Sequence, residues 1–164
     1  RGAATARRPE RRLPRRAQSV LSDKAEAAML TTMISNASTA QILLDILDGR
    51  VTRQIFNEIH VGAAFSRLAK LQVSVTPKVA QSDVLADLLG RADEILQDAE
   101  ADGRVVANIF WSVATLSPRA PRMRRLLPAL LDMIDYCAPY FGEQAVANSL
   151  WACARMRLPR PQLQ

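Results

Sequence analysis

Two asparagines and a few cations are the side chains whose spacing suits recognition chemistry. Asn108, Ser112 and Thr115 fall at i, i+4, i+7, as do Asn148, Ala152 and Arg155, and Ala63, Arg67 and Lys70. On a helix that spacing lays each set along one side. Arg67, Lys70 and Arg155 offer cations to phosphate oxygens, while Asn108 and Asn148 offer amides suited to base edges. The same asparagines have a purely structural use, because an Asn repeated within helices hydrogen-bonds neighbouring repeats. Arg119, Arg122, Arg124 and Arg125 form a second cluster, readable as a binding patch or as a solvated loop.

Bond-making chemistry has no comparable set. The single histidine, His60, opens a helical segment and has no partner in sequence, which suits a cap or packing residue better than a base or ligand. No Gly-rich phosphate loop, metal-ligand spacing or Ser/His/Asp set can be assembled. Asp93, Glu94, Asp98, Glu100 and Asp102 read as a solvated helix face. Cys137 and Cys153 lack CxxC spacing and read as buried thiols of a reducing compartment. These residues point to a non-enzyme with no cofactor and no metal.

The elements that carry them are repeats. VANIFWSVATL at residues 106–116 returns as VANSLWACARM at 146–156, and a worn copy, VGAAFSRLAKL, occupies 61–71. The starts lie 45 and 40 residues apart, a period typical of stacked helical repeats. Ala107, Phe110, Trp111 and Ala114, like Ala147, Leu150, Trp151 and Ala154, occupy i, i+3, i+4, i+7, one face of a 3.6-residue period. That face reads as core and places both tryptophans in it. A base-stacking role would require exposed rings.

Apolar periodicity also marks helices over 22–37, 39–48, 82–99 and 121–137, with Ser82 as an N-cap. LLDIL at 43–47 and LLDMI at 130–134 occupy matching places in two repeats. Pro128 fits the first turn of a helix starting near 126, or a kink. The expected fold is all-α: an α-α superhelical solenoid of about three helix-pair repeats, right-handed, with residues 22–37 as an incomplete N-terminal repeat or cap. Residues 1–21 form a basic disordered tail, 22–158 the repeat domain and 159–164 a C-terminal tail. No apolar run is long enough to span a membrane.

Charge is concentrated at the ends. The net is +6; residues 1–21 hold seven Arg and one Glu, residues 22–116 eight bases against twelve acids, and residues 117–164 seven Arg against three acids. Phosphate binding needs positive charge to release counterions. The tail and the C-terminal third supply it, and the middle supplies it only if its few cations gather on one face. The tail, opening on Arg rather than Met, reads as a retained transit sequence, an RNA-binding arm or a solvated flank.

ANIFWSVATL and ANSLWACARM resemble the ANxLWAxAxL signature of octotricopeptide-repeat proteins, often found with a RAP domain, and FNEIHVGAAFSRLAKL at 56–71 resembles the variant that opens such arrays. The resemblance covers roughly residues 30–158. The PPPEW-like segment of many such repeats is absent, and no RAP domain is visible. What the resemblance implies is an organellar RNA-binding protein of the mitochondrion or chloroplast, in matrix or stroma, controlling RNA stability, processing, translation or ribosome assembly. The alternative expectation is a structural or adaptor subunit, a scaffold with protein partners in a large organellar complex.

Overall fold

The computed structural model describes residues 15–98 and 101–158. The chain is all-helical, with no strand among the described residues. Among the described residues eight α-helices follow in order: α1 (Arg15–Asn36), α2 (Ala40–Leu47), α3 (Glu58–Lys70), the single-turn α4 (Pro77–Ala80), α5 (Asp83–Leu96), α6 (Gly103–Leu116), α7 (Leu127–Cys137) and α8 (Glu143–Met156). Their starts are written in the sequence. Thr39, Asn57, Thr76, Ser82 and Asp102 are N-caps whose side chains accept backbone N–H groups of the first turn, satisfying donors that a helix start leaves unpaired. Pro77 and Pro128 stand in first turns, where a missing N–H costs nothing. Gly49, at φ 64°, makes the turn that follows α2.

The helices form two layers. α1, α3, α6 and α8 stack side by side in one; α2, α5 and α7 form the other. The repeats are therefore α2/α3, α5/α6 and α7/α8, with α1 as the second-layer helix of an incomplete repeat, as expected. Leu43, Leu47, Phe65, Leu85, Leu88, Leu89, Phe110 and Leu116 are fully buried in one continuous core.

Neighbouring helices of the α1–α3–α6–α8 layer run parallel. At the start of α3, His60 reaches the Ala27 carbonyl of α1, and two turns later Arg67 reaches that of Ala37, just beyond the end of α1. Close approach depends on small residues. A Cβ on Gly62 of α3 would stand 3.2 Å from a Val105 methyl of α6.

Two expectations need correction. α1 begins at Arg15, inside the stretch expected to be a disordered tail. No proline falls within residues 15–36, and a helix anchored by buried Leu30 and Ile34 extends through good helix formers at low cost once nucleated. The tryptophans are not equivalently buried: Trp111 packs against the core, and Trp151 does not. Trp111 is half-buried and Trp151 is 43% exposed. The core places on these helices go to Val106, Phe110 and Val113 of α6 and to Cys153 of α8. Residues 1–14, 159–164 and Glu100 of the acidic cluster lie outside the described residues.

Candidate nucleic-acid interface

The outer surface of the α3–α6–α8 layer holds the side chains whose chemistry suits recognition, in a register one residue from the sequence expectation. Along α6, Ser112 and Thr115 are buried and spend their hydroxyls on their own helix, donating to the carbonyls of Asn108 and Trp111. Ala152 is fully buried on α8, and on α3 Arg67 is half-buried, its Nε donating to the Ala37 carbonyl at 2.8 Å. The 67/112/152 position thus faces the preceding helix. Steps of i+3 and i+4 lie on opposite sides of a shared helix line, and the close helix–helix contact takes the side with small residues. The row facing outward is 66/111/151, Ser66, Trp111 and Trp151.

Beside it runs the 63/108/148 row of Ala63, Asn108 and Asn148. Asn148 Nδ2 donates to Asn108 Oδ1 at 3.0 Å across the repeat boundary, and Gln144 Nε2 donates to Asn148 Oδ1 at 2.9 Å. The structural use of these asparagines, bonding between repeats, is thereby realised. Asn108 keeps its amide N–H groups and Asn148 one of its own beyond these bonds, and both side chains remain half-exposed. The Trp111 and Trp151 rings lean on each other, centroids 6.2 Å apart at 44°. The Arg155 guanidinium lies over the Trp151 ring, 5.7 Å from its centroid, a cation–π contact. The exposure that a stacking role requires is present at Trp151.

Charge sorts to the two edges of this layer. Glu58, Asp102 and Glu143 stand at the N-terminal ends of α3, α6 and α8. Lys70 and Arg155 lie in the last turns of α3 and α8, while Arg119 and Arg157 follow the ends of α6 and α8; all four are exposed. Each sign complements its helix dipole, and because the helices are parallel the result is one cationic edge. Of the eight bases in residues 22–116 only Lys70 lies exposed on this edge, and Arg104 stands at the opposite end, in the first turn of α6 beside Asp102. A groove of about 350 Å³ opens between α3 and α6, lined by Ile59, Ala63, Ser66, Arg104 and Asn108, with Glu58 and Asp102 at its acidic end.

The second arginine cluster divides. Arg122 is half-buried, donating to the Ala80 and Ser82 carbonyls and tying the α4–α5 turn to the linker before α7. Arg119, Arg124 and Arg125 are exposed. Sequence reasoning missed Arg104 and Arg157; Arg104, four residues before Asn108, was legible as part of the same stripe.

His60 caps and packs. Its Nδ1 accepts the Asn57 backbone N–H at 3.2 Å, Nε2 faces the Ala27 carbonyl at 3.0 Å, and the ring stacks on Phe56. Those contacts occupy both nitrogens. Among the described residues no cluster of three or more His, Cys, Asp or Glu forms a metal site, and no helix is long and apolar enough to cross a membrane.

Cys137 and Cys153 are free and buried. Burial pushes both thiols up, helped by the charge of Asp102 at Cys137 and of Asp135 at Cys153. The unfolded chain therefore releases these protons first, and stability falls as pH rises past about 8.5, where free thiols ionise. Urea unfolding at pH 7.5 and pH 10 checks this: replacing both cysteines by alanine should flatten the alkaline loss, and an unaltered loss would assign it to other groups.

No family model, curated protein or solved structure matches this chain. The class shown is an all-α protein of stacked helical repeats.

Proposed function

We propose that this chain is a non-enzymatic RNA-binding helical-repeat protein, similar to the octotricopeptide-repeat family, acting in organellar gene expression in the matrix or stroma. One observation carries the reading: amides, tryptophan rings and a cationic edge lie side by side on one face of parallel helices. A single-stranded RNA laid across the helices would set its phosphates along Lys70, Arg119 and Arg155. Its bases would turn toward the Asn108/Asn148 row and the Trp151 ring. Phosphate contacts fix position, amides read base edges, and rings supply stacking that tolerates any base.

The test is fluorescence anisotropy with a short single-stranded RNA at several salt concentrations. Lys70→Gln, Arg119→Gln and Arg155→Gln together should weaken binding and reduce the salt slope by about 2, since three single-strand contacts each contribute about 0.7. Arg53→Gln, which removes an exposed ion pair with Glu26 far from this edge, should leave both unchanged. An unaltered triple variant would remove this edge from the account.

The adaptor reading is favoured by a separate observation. Leu150 and Trp151 at one end of the layer and Met29 at the other are large apolar side chains left exposed, as protein contacts require.

A further inference from the structure

We infer that the groove between α3 and α6 seats one guanine base of a bound single-stranded RNA. The inference rests on the proposed RNA-binding face and names the base that this part of it accepts.

The groove follows from what the first copy of the repeated phrase lacks. Where α6 and α8 carry Asn and Trp, at 108/148 and 111/151, α3 carries Ala63 and Ser66. Between α6 and α8 the larger side chains fill the seam: Asn148 donates to Asn108, and Trp151 leans on Trp111. Between α3 and α6 the small pair leaves about 350 Å³ open. The same substitution leaves a donor unmet. Asn148 gives its amide N–H to the asparagine one repeat before it, but Ala63 offers Asn108 no such acceptor. Asn108 Nδ2 and the Ser66 hydroxyl therefore line the groove without a hydrogen-bond partner among the described residues.

Donors and acceptors are sorted along this groove. Toward its middle stand the Asn108 amide and Arg104, whose guanidinium comes no closer than 4.0 Å to Asp102. At the N-terminal end stand the carboxylates of Glu58 and Asp102, brought together as Glu58 Oε2 accepts the Asp102 backbone N–H at 3.4 Å. Asp102 uses Oδ1 to cap α6, which leaves its second oxygen and Glu58 Oε1 able to accept. Ile59, 58% exposed, and Ala63 supply apolar contact for the flat of a ring.

That order selects among the bases. Guanine alone sets two adjacent donors, N1–H and the 2-amino group, beside the acceptors O6 and N7. A carboxylate accepts such a pair in parallel, as it accepts an arginine fork, while Asn108 and Arg104 donate to O6 and N7. Adenine turns its N1 acceptor toward the carboxylates. Uracil offers one N–H flanked by two carbonyls, and cytosine one amino group beside two acceptors. The polarity of the face agrees. The 13 residues of α3 span about 20 Å from the acidic to the cationic edge, so a phosphate held near Lys70 leaves its base edge pointing toward the acids.

Fluorescence anisotropy tests this with a short oligouridine and the same strand carrying one central guanosine. The guanosine strand should bind about tenfold tighter, the discrimination of one good bidentate base contact. Inosine in the same place lacks the 2-amino group and should lose most of that gain; adenosine should lose all of it. Glu58→Gln with Asp102→Asn should bring the preference close to unity, and asparagine still caps a helix, so α6 keeps its start. Ala63→Asn should do the same by another route, restoring the missing acceptor and filling the groove. It installs the residue that both other copies carry, so helical circular dichroism should not change. Equal affinity for the guanosine, inosine and uridine strands would overturn the proposal and leave the RNA-binding face standing. A guanosine preference that survives either variant, its helicity intact, would overturn it as well. Failure of every strand to bind would remove the RNA reading and this inference together.

Discussion

Phe110→Ala is expected to cost about 3–5 kcal/mol, whereas Trp151→Ala should cost roughly 1 kcal/mol. The two side chains are of similar bulk and occupy adjacent positions of the repeated phrase, yet they live in different environments. Phe110 is fully buried in the core, so its removal forfeits transfer free energy and leaves a cavity that the stacked helices cannot collapse. Trp151 leans on Trp111 and carries Arg155, but much of its ring meets water already. Its deletion loses an aromatic pair and part of a cation–π contact without opening an interior void. A domain of this size holds about 5–15 kcal/mol in total, so Phe110→Ala should be partly unfolded at moderate temperature. Urea titration followed by circular dichroism distinguishes the cases: a large drop in midpoint with unchanged slope for Phe110→Ala, and a small one for Trp151→Ala. Equal losses would return Trp151 to the core.

That contrast also marks how far the sequence reading reached. The helices, their pairing and their caps were legible because each depends on local chemistry. Ser82 caps α5 and Pro128 stands in the first turn of α7, both decided within a few residues. The repeated phrase then fixed which helices are equivalent. Its facing could not be settled so locally. Ala107, Phe110, Trp111 and Ala114 form one apolar stripe, but a stripe on a solenoid helix serves two purposes, the core and the next helix. Phe110 takes the first and Trp111 lies at the margin of the second, where a large ring reaches water. The same ambiguity displaced the polar stripe from Trp111 to Ser112, a shift that turns on which flank the neighbouring helix covers. Arg67 and Arg122 show a further limit. Each has a composition suited to phosphate, and each instead donates to backbone carbonyls distant in sequence. The sorting of acids and bases to opposite edges was hidden for another reason: it requires knowing that α3, α6 and α8 run parallel.

If RNA is the ligand, removing residues 1–14 should lower affinity for single-stranded RNA by an order of magnitude or more at low salt. The same deletion should leave the unfolding transition almost unmoved. The segment holds five arginines and one glutamate, so its removal takes the formal net charge from +6 to +2. It ends before α1 begins at Arg15 and therefore spares both the helical stack and the Met29 face. Each arginine that neutralises a phosphate releases condensed counterions. Five such contacts on a single strand would contribute up to about 3.5 to the salt slope. The deletion and the Lys70/Arg119/Arg155 variant draw on different cations and should combine additively, provided the two groups engage separate phosphates. Anisotropy titrations of the full chain, each single alteration and their combination, at two salt concentrations, decide among the alternatives. A reduced slope in both, summing in the combination, assigns phosphate contacts to the tail and the helix edge alike. An effect of the deletion alone would make the helical stack a carrier for a basic arm. Absence of RNA affinity in the full chain itself would leave the adaptor reading, in which the apolar ends of the stack make the contacts that matter.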